Sequence, residues 1–493
     1  MKICLVATFP PSGRQLNEYA FYLARELQRN PSISLTILSD ELTDYEFATD
    51  EDGKSLGAPD QPELPGFDVI RCWKFNSLAT PVRLLNTIRR LKPDVVWFNL
   101  VFSSFATPEF PVAAFAGLSV PALTRALGFY THVTLHHILE HVDFASAGVR
   151  QGKVFRLGSN VATRTLLKAN SVSVLLSGYR RTLMEKYSAQ NVLLGTHGTF
   201  TPCPSPPDFS KRANPELRIL AIGHWGTYKR LETLMDAFPA VLKKVPNARL
   251  IVAGANHHTK TGYWESIRES QSTGSGVEFR GYVPEEAIPD LFRTTTIVVM
   301  PYDSATGSSG PAHQACEYGV PIVCADLADF RDMAAEEDMA INFYKVGDAA
   351  DLADKLVAIL QSPEQQRRMA EHNFSAAMRM TMASVVRNYL RWFELKKCKR
   401  DLRSSTLFPD LRPFWRRSPF PRLGGFPSGW TLRSSLSTGA GGNKNGRHDL
   451  EPAEPSRQST RLADPHSWHR SKATNDQPDA DRYQSGPQLA DEF

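Results

Sequence analysis

The stretches LRILAIG (217–223) and ARLIVAG (248–254) are two nearly unbroken apolar runs, and residues 230–243 between them carry apolar side chains at helical spacing. An apolar run without polar alternation is typical of a strand covered on both faces, as in a parallel sheet. A strand, a helix and a second parallel strand form the repeating unit of α/β proteins. This stretch therefore predicts a doubly wound α/β domain.

The same alternation of strand and helix occurs on both sides of this unit. Upstream, the predicted strands are KICLVA (2–7), SLTIL (34–38), VIRCW (69–73), DVVWFN (94–99), HVTLHH (132–137), SVSVLLS (171–177) and NVLLG (191–195). Downstream they are VEFRGYV (277–283), TIVVMPY (296–302) and PIVCA (321–325), with helices over 285–293 and 349–361. We predict two Rossmann-like domains with a cleft between them. Ligands of such sheets bind at the carboxyl ends of the strands, so the two carboxyl edges should face each other across this cleft.

Proline and polar residues mark the boundary between the two domains at GTFTPCPSPPDFSKRANPE (198–216). No regular element tolerates that proline density. We predict a first domain over 1–200, a linker over 201–216, a second domain over 217–362, one long helix over 363–395 and a disordered basic tail over 396–493.

Charge is distributed unevenly along the 493 residues. The formal net charge is +5, and residues from 396 onward hold 17 Lys and Arg against 11 Asp and Glu, so the rest is nearly neutral. No apolar run reaches the roughly 18 residues that a transmembrane helix needs. The six cysteines show no metal-ligand spacing. We expect a cytoplasmic protein without a bound metal.

A loop rich in small residues, SATGSSG (304–310), precedes the helix that begins near Pro311. Small residues allow backbone amides to approach an anion, and the positive end of a helix dipole favours negative charge. We therefore expect Gly307, Ser308 and Ser309 to bind an anionic group.

Eight landmarks in order carry a family resemblance. They are FPPSG (9–13), LKPDVVWFN (91–99), VTLHH (133–137), the linker, AIGHWGTYKRLETLMDAF (221–238), ARLIVAGA (248–255), EFRGYVPEEAIPDLFRTTTIVVMPY (278–302) and SSGPAHQACEYGVPIVCAD (308–326). From residue 1 to about 395 the chain resembles the GT-B-fold retaining glycosyltransferases of family 4, the bacterial glycosyl transferases group 1.

The resemblance implies transfer of a sugar from a nucleotide-diphosphate donor to a glycan or lipid-linked acceptor, in envelope or exopolysaccharide synthesis. The second domain would bind the nucleotide sugar and the first would face the acceptor. It also implies that no cofactor or metal takes part, because cationic side chains and helix ends hold the diphosphate.

The resemblance assigns the diphosphate contacts to particular residues. Lys229 matches the family lysine, and His224 stands at the position of the family arginine. Arg230 is the alternative cation, since a histidine is only partly charged at neutral pH. In the first domain, Gly13 matches the loop glycine that approaches the leaving phosphate. Fixed cations and amides stabilise the charge that develops on the leaving group.

The two glutamates that the family places seven residues apart fall here on Thr306 and Gln314, and neither is acidic. A glutamine can still hydrogen-bond ribose hydroxyls as donor and acceptor. His313 lies beside Gln314, and Glu317 is either a displaced partner of the sugar or an ordinary helix residue. We expect this group to contact the ribose or the transferred sugar.

Two histidines end the strand HVTLHH. The resemblance aligns His136 with the histidine that lies near the donor sugar, and His137 is its rival. We expect His136 and Lys229 to act in catalysis.

Aromatic and arginine residues alternate in the tail stretch FPDLRPFWRRSPFPRLGGFPSGWTLR (408–433). Such a segment could adsorb to an anionic membrane surface, at the inner membrane face where lipid-linked acceptors lie. It could also bind nucleic acid nonspecifically, which we do not expect, or be an extension without a partner or an out-of-frame reading.

Three functions remain open from the sequence. The first is an active retaining glycosyltransferase. The second is a GT-B relative with other chemistry, such as a nucleotide-sugar epimerase or a disaccharide phosphorylase. The third is a catalytically impaired GT-B binding subunit, because both family glutamates are replaced.

Overall fold

The computed structural model describes residues 1–12, 14–42, 48–49, 55–56, 66–107, 109–141, 153–201, 204–209, 217–257, 260–270, 276–284, 287–304 and 307–404. Within them the chain forms two parallel sheets and a short antiparallel pair of strands. The first sheet contains β1 (Lys2–Val6), β2 (Ser34–Asp40), β5 (Val69–Trp73), β6 (Val95–Leu100), β7 (Tyr130–Leu135), β8 (Ser171–Val174) and β9 (Val192–Leu194). The pair is β3 (Ala48–Thr49) and β4 (Ser55–Leu56).

The second sheet contains β10 (Arg218–Trp225), β11 (Arg249–Asn256), β12 (Val277–Arg280), β13 (Ile297–Met300), β14 (Ile322–Ala325) and β15 (Ile341–Tyr344). Helices of the first half are α1 (Asn17–Gln28), α2 (Thr80–Leu91), α3 (Pro111–Ala126), α4 (Lys153–Leu166) and α5 (Ser177–Tyr187). Those of the second half are α6 (Glu232–Lys244), α7 (Tyr263–Glu269), α8 (Ile288–Arg293), α9 (Gly310–Glu317), α10 (Ala328–Glu337), α11 (Ala349–Leu360), α12 (Pro363–Arg379) and α13 (Met382–Ser404).

Strand order reverses once in each sheet. The first sheet runs β5-β2-β1-β6-β7-β8-β9 and the second runs β12-β11-β10-β13-β14-β15, so the reversals lie between β1 and β6 and between β10 and β13. The loops that leave the carboxyl ends of these strands diverge and open a crevice. The prediction of two doubly wound α/β domains is confirmed.

Alternate side chains of the first sheet pack into different cores. Ile3 and Leu5 pack with α1 and α13, whereas Cys4 and Val6 belong to the core that includes residues of α2, α3 and α4. A strand sends successive side chains to opposite faces, so both faces of this sheet are covered. This explains why its strands read as continuous apolar runs.

The predicted single helix over 363–395 is wrong, because two helices, α12 and α13, occupy that region. Thr381 separates them and pairs with Thr199 in an isolated parallel bridge, in which the Thr199 amide donates to the Met380 carbonyl at 2.9 Å. The chain there crosses from the second domain back to the first. The α13 side chains Tyr389 and Phe393 then pack on Trp97 of β6.

Helix α13 extends to Ser404, so the predicted disorder of the tail is wrong for 396–404. The remaining tail, 405–493, lies outside the described residues, as do 202–203 and 210–216 of the predicted linker. Within the described residues, no helix combines the length and apolar character that spanning a bilayer requires.

The start of the linker is fastened to the second domain by Glu317. The carboxylate of this buried residue accepts hydrogen bonds from the Thr201 amide at 2.8 Å and from the Thr201 hydroxyl at 3.2 Å. Burial raises the pKa of Glu317 to about 6, although the Thr201 hydrogen bonds oppose the shift. Hydrogen bonds thus join Thr201, at the start of the linker, to Glu317, at the end of α9.

Replacing Phe393 with alanine should destabilise the protein by about 3 to 5 kcal/mol, because the ring is 1% exposed and the substitution leaves a cavity against Trp97. Urea unfolding followed by tryptophan fluorescence measures this loss. Leu395→Ala, on the same helix but 46% exposed, is the control and should change stability little. Equal effects of the two substitutions would show that α13 is not packed on the first sheet as described.

Glu317→Gln should change how stability depends on pH. Folding raises the pKa of Glu317 from 4.5 to about 6, so its contribution is greatest below pH 4.5 and falls as the pH rises to 6. Urea unfolding gives the free energy of unfolding of each protein. The difference between wild type and variant should decline by about 2 kcal/mol from pH 4.5 to pH 6, at about 1.4 kcal/mol per pH unit. Glu364→Gln, at an exposed position of α12, should give a profile parallel to wild type. Parallel profiles for Glu317→Gln would contradict the raised pKa.

Candidate functional site

The carboxyl edges of the two sheets touch at Gly307 and His136. Gly307 follows β13 and has φ +100°, and a Cβ atom at this position would lie 2.9 Å from the carbonyl oxygen of His136. Only glycine fits both the left-handed backbone and this approach. The predicted loop of small residues therefore meets the predicted strand-end histidine directly.

His136 follows β7 and is buried. Its Nε2 lies 2.8 Å from Asn99 Oδ1, and the Tyr19 ring packs edge-on against it with a centroid distance of 4.5 Å. Burial, with additional repulsion from His197 and His137, holds the pKa of His136 well below its ordinary value. The imidazole is neutral, so it can act through hydrogen bonds but not as a fixed cation.

His137, the rival, is half-buried, and its ring lies 6.1 Å from the ring of Phe102. Burial lowers the pKa of His137 to about 4. Both residues lie against the loop of the second domain: a Cβ atom at Gly307 would lie 2.9 Å from the His136 carbonyl oxygen and 3.9 Å from the His137 Cβ atom.

Lys229 lies in the loop after β10, at the reversal point of the second sheet. Its Nζ is 5.3 Å from the centroid of the Tyr302 ring, and the side chain packs along Gly223. Burial alone lowers the pKa of Lys229 to about 8, and no described carboxylate lies within ion-pair distance of its ammonium. Lys229 is therefore a partly desolvated cation without a counter-ion in the described chain, which is the electrostatic setting of an anion site.

Arg230 is the next residue, but its charge is already compensated. The guanidinium lies 2.5 Å from Glu232 Oε1 and 3.7 Å from Asp303 Oδ2, and the hydrogen bond with Glu232 raises its pKa. The Tyr263 hydroxyl also donates to Glu232 at 2.6 Å. Because Glu232 and Asp303 already compensate the charge of Arg230, the structure does not favour Arg230 as a contact of the diphosphate. His224 lies on β10 and is half-buried.

The loop over 307–309 differs from the expected set of free anion-binding donors. The Gly307 amide donates to Asp329 Oδ2 at 3.2 Å. The Ser308 hydroxyl lies 3.6 Å from Met333 Sδ, and the Ser309 hydroxyl lies 3.1 Å from Met300 Sδ. The Gly307 amide therefore already has a hydrogen-bond acceptor within the protein, the Asp329 carboxylate of α10. Gly13 and Thr306, two further predicted contacts, lie outside the described residues.

Several buried polar atoms around this edge have no hydrogen-bond partner in the described part of the chain. They are Thr227 Oγ1, Tyr302 OH, Ser304 Oγ and Gln314 Oε1 in the second domain and Asn99 Nδ2 in the first. Buried polar groups are normally paired, and exceptions mark places where a ligand or water binds. Gln314, at a position where the resemblance leads one to expect a glutamate, is thus buried, and its acceptor oxygen has no partner among the described residues.

His313 and Glu317, grouped with Gln314 in the sequence analysis, have protein partners instead. His313 Nε2 lies 2.7 Å from Glu337 Oε2, and His313 Nδ1 lies 2.6 Å from the Ser309 carbonyl oxygen. Desolvation opposes protonation, but the Glu337 carboxylate outweighs it and raises the pKa of His313. Because Glu317 binds Thr201, neither side chain supports the expected sugar or ribose contact.

Four carboxylates on α10 join the two domains. Glu336 accepts a hydrogen bond from the Ser177 amide at 2.6 Å, and Asp332 accepts one from the Gly178 amide at 2.9 Å. These amides belong to the first turn of α5, where N–H groups lack partners in the helix and negative charge is favourable. One helix thus caps another across the domain boundary.

The other two carboxylates of α10 reach the site. Asp329 accepts the Tyr179 hydroxyl at 2.6 Å as well as the Gly307 amide, and Glu337 accepts the His197 amide at 3.3 Å. The ring of His197 packs 4.5 Å from that of His313, and burial lowers the pKa of His197 to about 3. Asp329 therefore fixes the loop that touches His136.

Sequence analysis did not identify the α10 carboxylates, Asn99, Tyr19 or His197. A signal was present for α10, because Asp329, Asp332 and Glu336 are spaced three and four residues apart and lie on one helix face. Among the described residues, no group of three or more His, Cys, Asp or Glu is arranged to hold a metal ion.

The second domain resembles known proteins in sequence. Residues 216–362 match the family model described as glycosyl transferases group 1. Phosphatidyl-myo-inositol mannosyltransferase of Mycobacterium leprae is 25% identical over 179 residues, which are 36% of this chain and 46% of that protein. The chain thus spans about half the length of the curated relative it matches.

Solved structures resemble the chain over both domains. Anabaena Alr3699/HepE in complex with UDP has a TM-score of 0.57 at 14% identity, covering 80% of this chain and 100% of that one. Sucrose-phosphate synthase from Thermosynechococcus elongatus has a TM-score of 0.60 at 15% identity, covering 82% and 100%. At these identities the likeness is one of fold. The chain therefore has the GT-B fold, and its residues 216–362 match the glycosyl transferases group 1 family model.

Proposed function

We propose that the protein is a retaining glycosyltransferase that moves a sugar from a nucleotide-diphosphate sugar to a glycan or lipid-linked acceptor. Envelope or exopolysaccharide synthesis is the setting we infer. The donor would lie at the carboxyl edge of the second sheet and the acceptor at that of the first. The loop at Gly307 and the strand end at His136 would meet at the transferred sugar.

The observation that carries this proposal is the environment of the Lys229 ammonium group. A cation that is desolvated, close to an aromatic ring and without a described carboxylate partner binds an anion more strongly than an exposed lysine does. The sugar leaves a nucleotide diphosphate on which negative charge grows as the glycosidic bond breaks, so a fixed cation stabilises the transition state more than the ground state. Lys229 is the residue to which we assign this role.

The unsatisfied polar atoms support a sugar-nucleotide ligand rather than a bare anion. Hydroxyl and amide groups of Thr227, Tyr302, Ser304 and Gln314 match the many hydroxyls of ribose and hexose. Gln314 would hydrogen-bond ribose without the charge of the family glutamate. His136, being neutral, would orient the donor sugar through a hydrogen bond.

The similar proteins support the same donor class. Structures of Alr3699/HepE contain UDP, and one contains UDP-glucose. The curated relative is named a mannosyltransferase. We propose a nucleotide-diphosphate hexose as the donor and front-face substitution, with retention of anomeric configuration, as the reaction. The proposal needs no metal, since Lys229 supplies the positive charge.

A catalytically impaired binding subunit is the second candidate. The observation that favours it is the pair of replacements at Thr306 and Gln314, which remove two carboxylates from the family pattern. Such a protein would bind the donor but not turn it over.

Lys229→Ala should lower kcat/KM for the donor by about 100- to 1000-fold, the usual effect of removing one group that stabilises transition-state charge. Arg230→Ala is the matched control. It removes a neighbouring cation that is exposed and already ion-paired, so its effect should stay within about threefold. Circular dichroism and thermal unfolding confirm that both variants are folded. Near-normal activity of Lys229→Ala would refute the assignment.

Donor affinity should weaken as the pH rises from 7 to 9, because the free Lys229 ammonium, with its pKa lowered to about 8, loses its charge over this range. Isothermal titration calorimetry with UDP measures the affinity. Lys229→Arg should abolish this pH dependence, since a guanidinium stays protonated. An unchanged pH profile in Lys229→Arg would assign the titration to another group.

The function itself is tested by supplying a panel of nucleotide sugars and measuring nucleotide release, with and without EDTA. Release that EDTA does not reduce supports a metal-independent transferase. Nucleotide binding without release from any donor supports the binding subunit, and recovery of an epimerised donor would overturn both in favour of an epimerase.

A further inference from the structure

Helices α2, α3 and α4 form one outer surface of the first domain, which we call the three-helix face. All three connect strands in the same direction along the sheet, and α3 lies between α2 and α4 in contact with both. They cover the sheet face opposite to α1 and α13. None of them takes part in the domain junction made by α10.

The centre of this face is apolar although it is exposed. Helix α3 has the sequence PVAAFAGLSVPALTRA, with no charged residue before Arg125. Its side chains Val112, Phe115 and Leu123 are 68%, 41% and 42% exposed. A surface helix normally presents polar and charged side chains outward. An outer ridge of this kind therefore indicates a surface that something apolar covers.

Neighbouring elements extend the apolar ridge on both sides. Leu78, just before α2, and Val82, in its first turn, are 63% and 62% exposed, and Leu157 and Val161 on α4 are 66% and 41% exposed. Phe110, just before α3, is 52% exposed. Scattered single apolar residues are normal on a protein surface, but a set on three adjacent helices is not.

Charge on the same three helices has a single sign. None of the three sequences contains Asp or Glu, and together they contain Arg83, Arg89, Arg90, Arg125, Lys153, Arg156 and Arg164. Arg89 and Arg90 are exposed, and neither forms an ion pair with a described carboxylate. At the margin, Glu41 pairs with Arg83, and Glu109 precedes α3. Arg89 and Arg90 on α2 thus carry positive charge that no described carboxylate neutralises.

The end of the three-helix face at which α2 and α3 begin adjoins the loops that follow the strands of the first sheet. The Asn76 amide donates to the Phe105 carbonyl at 2.9 Å and its side chain accepts from the Thr107 amide at 2.9 Å, which ties the loops after β5 and β6 together. Ser103 in turn hydrogen-bonds Gln15 of the loop after β1 at 3.0 Å. A partner on this face would therefore lie beside the expected acceptor entrance.

We propose that the three-helix face docks on the surface of an anionic lipid bilayer, with the α3 ridge inserted among the lipid headgroups and acyl chains and the flanking arginines on the lipid phosphates. An apolar strip bordered by Lys and Arg, on helices that contain no acidic residue, is the pattern of interfacial membrane binding. A second copy of the chain fits poorly, because two faces of like charge repel each other. Nucleic acid would contact the cations but leave the apolar ridge exposed to water.

The proposal does not depend on catalysis, although it would explain how a lipid-linked acceptor reaches the cleft. Membrane binding can be measured without any sugar transfer. Failure of either proposal therefore leaves the other open to its own test.

Vesicle co-sedimentation of the full-length protein tests the proposal. The vesicles consist of phosphatidylcholine alone or with about one third phosphatidylglycerol, at about 0.1 M salt, where surface charge acts over roughly 10 Å. Wild type should partition on the order of tenfold or more better into the anionic vesicles, because each nearby Lys or Arg adds to the attraction. Equal partition into both kinds of vesicle, or none, overturns the proposal.

Two double variants separate the apolar and the charged parts. Val112→Ser/Phe115→Ser should lower partition into anionic vesicles by about tenfold or more, through loss of inserted apolar surface. Arg89→Glu/Arg90→Glu should lower it comparably, through charge reversal. Because all the substituted side chains are exposed, the fold should be retained, which circular dichroism checks.

Matched controls lie in the second domain. Val346→Ser/Met378→Ser replaces two exposed apolar residues, and Arg367→Glu/Arg368→Glu reverses an exposed arginine pair on α12. Both should sediment like wild type. Since every variant keeps residues 405–493, undiminished binding by both face variants assigns the contact to another part of the chain and overturns the proposal. A dimer that dissociates in Val112→Ser/Phe115→Ser, seen by light scattering, or loss of DNA binding without loss of vesicle binding in Arg89→Glu/Arg90→Glu, overturns it too.

Discussion

The α10 carboxylates are the contacts on which the site depends. A buried carboxylate is unfavourable unless hydrogen bonds or charges compensate it. The buried Asp329 accepts hydrogen bonds from the Tyr179 hydroxyl and the Gly307 amide, and the half-buried Asp332 and Glu336 accept them from amides of α5 in the first domain. Each domain therefore satisfies polar groups that the other leaves unpaired. The contact between Gly307 and His136, where chemistry is proposed, follows from this shared set of hydrogen bonds.

Lys229 and Arg230 are adjacent cations, and their neighbours determine which of them can bind an anion. Arg230 carries the more permanent charge, yet Glu232 and Asp303 neutralise it and Tyr263 fixes Glu232 in place. Lys229 has no such partner in the described chain and is less solvated. Lys229, whose ammonium loses its proton more easily than the Arg230 guanidinium, is thus the cation left able to bind an anion.

Local features of the sequence predicted the fold well, because continuous apolar runs follow directly from burial on both sheet faces. The position of His136 at a strand end was predictable for the same reason. The break at Thr381 was not, because apolar residues keep helical spacing on both sides and the interruption depends on Thr199, far away in the chain. The hydrogen bond from the Gly307 amide to Asp329 was not predictable either, since Asp329 comes from a later helix. Sequence patterns specify elements, whereas the partners of buried polar groups are set by the assembled fold.

The pairing of Thr199 with Thr381 gives the molecule a mechanical property. The chain passes between the domains once near Thr199 and again near Thr381, and these two covalent crossings lie side by side. Two rigid bodies joined at a pair of neighbouring points can rotate about a line through them, but sliding and axial twisting strain both connections. Opening and closing of the cleft would then follow a single swinging path. A ligand would be released without loss of the alignment that brings Gly307 back to His136.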